Sequence, residues 1–448
     1  MVTRRRSVPR LAVADWEQGS GSGGTRKAAE AGPKLARASI AYVVLYTAVA
    51  AYAPYLSLYY QSLGIPFGGI GALAAFTSAV ALVCAPTWGM IHDRFPTSRV
   101  YIPLAAVIAS VGGVGLANAG ASPLLVAFAA AFACGMSGMA PMMDVRVLDM
   151  AGSDRTRYAH VRMWGSFSFM IAAPIIGILV RAEGYGALFL VFVPMVLLGG
   201  LASTMLPGRS TGVRVGGLRR APGRVLGHRP IALFLIGALV GWTAVSSQVA
   251  FFSIYVRQLG GSSEAVGWAW SAAAALEIPS MLFFPQLARR FGTERLIVLG
   301  MVILVARQIA NAVFTDPSVL IGLSLVQGLG YGLLLIGGIA FVSRQAPRGT
   351  AATAQGILNS VTFSMSSIIG SGLGGVVAGW LTIRVLYVIS ACLGTAAIVL
   401  IAMAVLPAAG RLPEGFGPDA PPPIPPPPAP PLPVPPKPPA SDASTMGH

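Results

Sequence analysis

Charge is what this 448-residue chain has least of: Asp, Glu, Lys and Arg make up 10% of it, against 55% hydrophobic residues. That balance excludes an ordinary soluble globular protein and equally an intrinsically disordered one. Acidic residues are scarcer still, 15 against 31 basic ones, which leaves a net charge of +16. In a soluble protein that excess would suggest nucleic acid. Here the basic residues sit in short breaks between long apolar runs, so they report membrane topology, and no nucleic-acid partner is expected. The three cysteines, Cys84, Cys134 and Cys392, fall inside apolar runs with no pairing spacing and read as small hydrophobes. The four histidines, His92, His160, His228 and His448, are scattered. With no phosphate-binding loop, metal-ligand cluster or catalytic triad in the sequence, the reading assigns no enzyme activity, cofactor, metal or catalytic residue.

What is present is a series of apolar runs. No Asp, Glu, Lys or Arg occurs from Ala38 to His92, nor from Val100 to Met143. About 20 residues cross a bilayer's hydrocarbon, so each run holds more than one span. The first is too long for the core of a signal peptide and is read as spans broken at Gly64-Ile-Pro66-Phe-Gly68-Gly69. The next breaks at Asn118–Pro123, with a fourth span ending near Met150. Further spans are predicted near 159–180, 185–206, 231–256, 265–287, 296–314, 317–343, 350–378 and 385–406. The expected organisation is a disordered basic cytoplasmic tail (1–37), a six-helix half (38–206), a basic linker (207–229), a second six-helix half (230–406) and a Pro-rich disordered cytoplasmic tail (407–448). The run Pro421–Pro439 should form extended polyproline II. The breaks around 92–99, 152–158, 207–229, 288–295 and 344–349 are basic, while the alternate ones hold at most one Arg each, Arg181, Arg257 or Arg384. This asymmetry predicts that both termini are cytoplasmic in a multi-pass protein of the cell (plasma or inner) membrane.

The chain also repeats itself. At a shift of 196 residues, Arg94-Phe95-Pro-Thr97-Ser-Arg99 lies over Arg290-Phe291-Gly-Thr293-Glu-Arg295, and Ser57-Leu-Tyr59-Tyr-Gln-Ser-Leu63-Gly64 over Ser253-Ile-Tyr255-Val-Arg-Gln-Leu259-Gly260. Gly71 then falls on Gly267. One offset shared by separate blocks indicates a duplicated half.

The break Gly89-Met-Ile-His-Asp93-Arg94-Phe95-Pro-Thr-Ser-Arg99 resembles the loop between helices 2 and 3 of the major facilitator superfamily, with His92, Pro96 and Thr97 departing from the pattern. Ala53-Pro54-Tyr55-Leu-Ser-Leu-Tyr59, Tyr158-Ala-His160-Val-Arg162-Met-Trp164-Gly165-Ser166 and Glu277-Ile-Pro279 are similar to segments of its phenylpropionate-permease-like and lactose-permease-like proton symporters. Ala173-Pro174-Ile-Ile-Gly177 faintly resembles a motif of drug/proton antiporters, although a plain proline kink is the preferred reading. The resemblance implies an all-α membrane protein of twelve transmembrane helices in two pseudo-symmetric halves. It also implies that Gly89, Asp93, Arg94 and Arg99, with Arg290 and Arg295 in the second half, form gating loops, the Asp bracing the start of the eleventh helix. A plain basic loop that only sets topology is the alternative.

Few charges fall within the spans, where each costs roughly 2.5–3.5 kcal/mol on insertion scales. Glu277 lies twelve residues before Arg289, and Arg307 twelve after Arg295. At 1.5 Å per residue both sit about 18 Å from the same end, so an ion pair near the midplane is expected, with Glu277 coupling protons and Arg307 tuning it. A pair that only locks two helices together is the alternative. Asp144 and Arg146 are two apart, face different sides of one helix and should have partners on other helices. Asp149, Arg162 and Trp164 are candidate cytoplasmic gate residues, with structural anchoring the alternative for the two charges. Tyr42, Tyr59, Trp164, Trp242, Trp268, Trp270 and Tyr331 are candidate cavity walls, with a lipid or interface position the alternative for each. The expected function is secondary active transport of a small organic solute by alternating access, coupled to protons as symport and carried out by a monomer in the lipid bilayer. Drug/proton antiport, or a non-transporting membrane sensor or adaptor, are the alternatives.

Overall fold

The computed structural model describes residues 23–95, 99–151, 155–206, 221–347 and 350–408. The expected N-tail up to residue 22, the linker 207–220 and the Pro-rich tail from 409 onward lie outside them. Among the described residues, twelve long helices carry the chain. The first half comprises α1 (Gly23–Tyr52, continued after a turn by Leu56–Ser62), α2 (Phe67–Arg94), α3 (Tyr101–Ala119), α4 (Leu124–Ala151), α5 (Arg155–Glu183) and α6 (Ala187–Ser203). After a short helix, Ala221–Leu226, the second half comprises α7 (Arg229–Gln258), α8 (Ser263–Phe291), α9 (Thr293–Val313), α10 (Pro317–Gln345), α11 and α12 (Ile383–Val405). Helix α11 runs Ala351–Asn359, widens into a π turn at Ser360–Met365 and resumes as Ser366–Trp380. No strand occurs among the described residues.

Ten of these helices are long and apolar enough to cross a membrane. Helix α6 is apolar but 17 residues long, and α8 is 29 residues long but carries Glu264, Glu277, Arg289 and Arg290. The observed ends depart from the expected ones by a few residues, except that α1 starts at Gly23, where a tail up to Arg37 was expected. Local chemistry sets several ends. Ser262, Asp316 and Thr382 each accept a backbone N–H at the start of α8, α10 and α12. Gly64 and Gly260 close the first helix of each half with φ of 78° and 89°, a region in which only glycine is unstrained. They are 196 residues apart.

The duplication is visible in contacts as well. The Tyr59 hydroxyl donates to the Leu116 carbonyl at 2.6 Å, and the Tyr255 hydroxyl to the Asn311 carbonyl at 2.9 Å. In each half, the first helix is thereby tied to the end of the third.

The two halves meet through α2 against α11 and α5 against α8, and the closest approaches lie toward the end of the bundle that bears the sparsely charged breaks. A Cβ on Gly71 would lie 2.4 Å from the Ser371 carbonyl, and one on Gly267 would lie 2.6 Å from the Ala173 carbonyl. Pro174 sharpens the second contact. Lacking an N–H, it leaves the Met170 carbonyl without its intrahelical donor, and the Ser271 hydroxyl of α8 donates to that carbonyl at 2.6 Å. At the basic end, a Cβ on Gly89 or Gly356 would meet nothing within 4 Å. The halves are therefore sealed together at the low-charge end.

Candidate functional site

The charged groups inside the spans converge from both halves on one region. Asp144 lies seven residues from the basic end of α4, and Arg162 seven residues into α5. Their side chains form an ion pair of 4.0 Å. Tyr42 of α1 donates its hydroxyl to Asp144. Arg162 donates to the hydroxyl of Tyr46, one turn further along α1, and its guanidinium lies 4.1 Å from the Tyr46 ring centre and 5.6 Å from that of Tyr42. Arginine suits this place, because its planar group stacks on aromatic rings while its edges donate. Gly165 makes the room: a Cβ there would lie 2.8 Å from the Tyr46 ring.

Glu277 faces this cluster from the other half. It sits fourteen residues from either end of α8, about 21 Å along the axis, level with Tyr331 in the middle of α10. Glu277 is half-buried, and Arg162 is near enough for its charge to bear on it. Gly328 and Gly332 press α10 against the turn of α8 that carries it. A Cβ on Gly328 would lie 1.9 Å from the Ala273 carbonyl and 2.8 Å from the Glu277 nitrogen. The Ser280 hydroxyl donates to the Glu277 carbonyl at 2.7 Å. Beside Glu277, Tyr331 packs edge-to-face on Trp242 at 5.0 Å, and Phe363 of the π turn lies 6.3 Å from Trp242. The site thus joins an ionic lattice from α1, α4 and α5 to a carboxylate and an aromatic wall from α7, α8, α10 and α11.

The expected ion pair between Glu277 and Arg307 is not formed. Their depths match, but Arg307 donates to Gln248 of α7 at 3.2 Å and lies 5.1 Å over the Phe252 ring, inside the second half. Depth along a helix follows from residue count, whereas direction around the helix depends on packing. Arg146, fully buried, donates to the Ser203 carbonyl of α6 at 3.3 Å; as expected, it and Asp144 find partners on different helices. Trp164 is exposed and packs beside Phe167. Tyr59 is taken up by its bond within the first half, and Trp268 is exposed. Asp149 is exposed near the basic end of α4.

In the gating loops, Arg94, Arg99, Arg290 and Arg295 are exposed. The Asp93 side chain lies outside the described residues, and so does the brace expected of it. Sequence reasoning passed over Tyr46, Gly328 and Gly332, and gave Gly165 only as part of a family-like segment; the four-residue spacing of Gly328 and Gly332 could have marked a close helix contact. It also passed over a second link between the halves, the 3.1 Å ion pair of Arg181 on α5 with Glu264 on α8, at the sealed end. No group of three or more potential metal ligands occurs among the described residues.

Comparison with known proteins agrees with this architecture. Residues 35–389 match the family described as MFS_1 like family. The chain is 29% identical to the maltose permease of Geobacillus stearothermophilus over 338 residues, 74% of this chain and 83% of that one. Its fold is similar to the crystal structure of the nucleoside transporter NupG, with a TM-score of 0.74 at 15% identity, covering 83% of this chain and 98% of that one. A bacterial homologue of the human lysosomal transporter Spinster, in an inward-facing and unoccupied conformation, matches at a TM-score of 0.60 and 15% identity, covering 86% of this chain and 96% of that one. Two six-helix halves, a charged site between them and a family match over most of the length place the chain in the MFS_1 like family of the major facilitator superfamily, as a multi-pass membrane transporter.

Proposed function

We propose that the chain is a proton-coupled symporter of a small, neutral, polyhydroxylated organic solute, working by alternating access. The observation that carries this reading is an ionic lattice of Arg162 and Asp144 in the first half together with a mid-helix carboxylate, Glu277, in the second. A carboxylate inside a membrane protein needs a partner, water or a proton. When Glu277 is ionised, its attraction to Arg162 ties the two halves together beside the site. A proton on Glu277 removes that attraction and frees Arg162 to remain with Asp144. Solute binding and protonation can then favour the same rearrangement, which is the requirement for coupling. The aromatic wall of Trp242, Tyr331 and Phe363 suits the apolar face of a sugar or base ring, and the carboxylates suit hydroxyl donors. Two of the proteins it resembles, a maltose permease and a nucleoside transporter, are named for ring-bearing solutes rich in hydroxyls.

The basic end is assigned to the cytoplasm by the loop charges, so the state described is closed outward. Gating then separates the glycine contacts at the low-charge end. We assign the monomer as the working unit and Asp93 with Arg94 to the gating loop. The test uses purified protein in proteoliposomes with a pH-sensitive dye. Disaccharides and nucleosides are added singly, and external pH is followed without a buffer gradient. Solute-dependent alkalinisation outside supports symport. Acidification would mark antiport, and solute flux without proton movement would overturn the coupling.

A further inference from the structure

Arg307 has no role in the site just described, yet it is the most enclosed cation of the second half. It is 2% exposed and lies fourteen residues into α9. One guanidinium nitrogen donates to Gln248 at 3.2 Å, and Phe252 covers one face. Its Nε and Nη2 have no partner. No carboxylate among the described residues forms an ion pair with it. Asn311, one turn further along the same face, is fully buried with both amide atoms unpartnered. Burying a lone guanidinium is costly unless an opposite charge accompanies it.

Arg307 also lines a cavity between α7, α8, α9 and α10, shared with Phe252, Trp270 and Gln327. The space measures about 20 Å³, room for roughly one water-sized species. A disaccharide, nucleoside or lipid headgroup does not fit there. The positive charge of Arg307, the amide of Gln327 and an apolar collar of Phe252 and Trp270 suit a weakly hydrated small anion better than a neutral molecule.

We propose that Arg307 holds a single small inorganic monovalent anion, of halide size, inside the second half. The anion neutralises the guanidinium and ties α9 to α7, α8 and α10. It belongs to the resting protein and is not the transported solute, so the inference stands apart from the proposed coupling. The experiment measures thermal unfolding of the purified full-length protein while sodium gluconate is replaced by sodium chloride or bromide at constant ionic strength. Stabilisation should rise and saturate with halide; at ten times the dissociation constant the folded-to-unfolded ratio increases about elevenfold. Arg307→Gln should abolish this response, and Arg162→Gln should retain it. A flat response in the unaltered protein, or an equal one in Arg307→Gln, would overturn the proposal. If Arg307→Gln does not fold, bromide-soaked crystals of the unaltered protein decide: an anomalous peak at the guanidinium supports the site, and none there overturns it.

Discussion

Tyr59 and Tyr255 stand 196 residues apart and make the same bond, each tying the first helix of its half to the end of the third. Gly64 and Gly260 make the same left-handed turn, and Gly71 and Gly267 the same close crossing onto the opposite half. The charged residues inside the spans follow no such rule, although the loop arginines Arg94 and Arg99 do match Arg290 and Arg295. At the 196-residue shift, Glu277 falls on Ala81, Arg307 on Val111, Asp144 on Ala340 and Arg162 on Leu358. Arg307 is buried where Val111 is exposed. The first half pairs its cation with a carboxylate and two phenols, whereas the second half leaves a carboxylate facing across the midline and an arginine enclosed apart from it. Duplication therefore supplied a frame of hydrogen bonds and glycine contacts, which symmetry requires in both halves. The charged chemistry occurs once per protein, where opposing halves can share it. A transporter that alternates between two faces needs a symmetric frame to move and an asymmetric site to couple.

The largest effect should come from the asymmetric part. Arg162→Ala removes the partner of Asp144 and the charge facing Glu277 together, so initial uptake in proteoliposomes should fall by about two orders of magnitude, the equivalent of about 2.8 kcal/mol. Arg162→Lys retains charge but loses the stacked, forked geometry and should recover only part of this. Activity of Arg162→Ala near the normal level would remove the charge lattice from the mechanism.

Next comes the packing that sets Glu277 in place. Gly328→Ala puts a Cβ 1.9 Å from a backbone oxygen, so α8 and α10 must separate. Overpacking of this kind costs about 1–3 kcal/mol or more and should lower the unfolding temperature measurably. Unchanged thermal stability would mean that the contact is looser than described.

The symmetric frame offers a paired test. Gly71→Ala and Gly267→Ala each wedge the low-charge end apart, one at α2–α11 and the other at α5–α8. Both should shift the protein toward opening at that end, by similar amounts. Labelling rates of a single cysteine placed at Gly68 would report it. A shift in one variant and none in the other would break the symmetry. The smallest effects belong to Tyr59→Phe and Tyr255→Phe. Each should cost about 1 kcal/mol, and the double variant should show the sum if the two bonds act independently.

The frame was largely legible in the sequence, and the partnerships were not. Charge-free runs and glycine-proline breaks located the spans to within a few residues because hydrocarbon thickness dictates helix length. The 196-residue shift marked equivalent positions that turned out to make equivalent bonds. Glu277, Asp144, Arg146 and Arg307 were recognisable as costly charges within apolar helices. Which of them meet was not recognisable, because depth along the axis is a count and azimuth is not: Glu277 and Arg307 share a level but not a direction. Tyr46 looked like any interfacial aromatic. The role of Pro174 depends on a serine 97 residues away that takes the carbonyl it leaves free. The π turn of α11 has no sequence signature that distinguishes it from a regular turn.

The central claim is that Glu277 couples proton movement to solute movement through its exposure to Arg162. The most direct test compares uphill accumulation with equilibrium exchange in proteoliposomes containing Glu277→Gln. A permanently neutral side chain cannot release a proton, so net uphill uptake driven by a pH gradient should be lost while exchange of internal for external solute continues. Uphill accumulation at the unaltered level by Glu277→Gln would contradict the account.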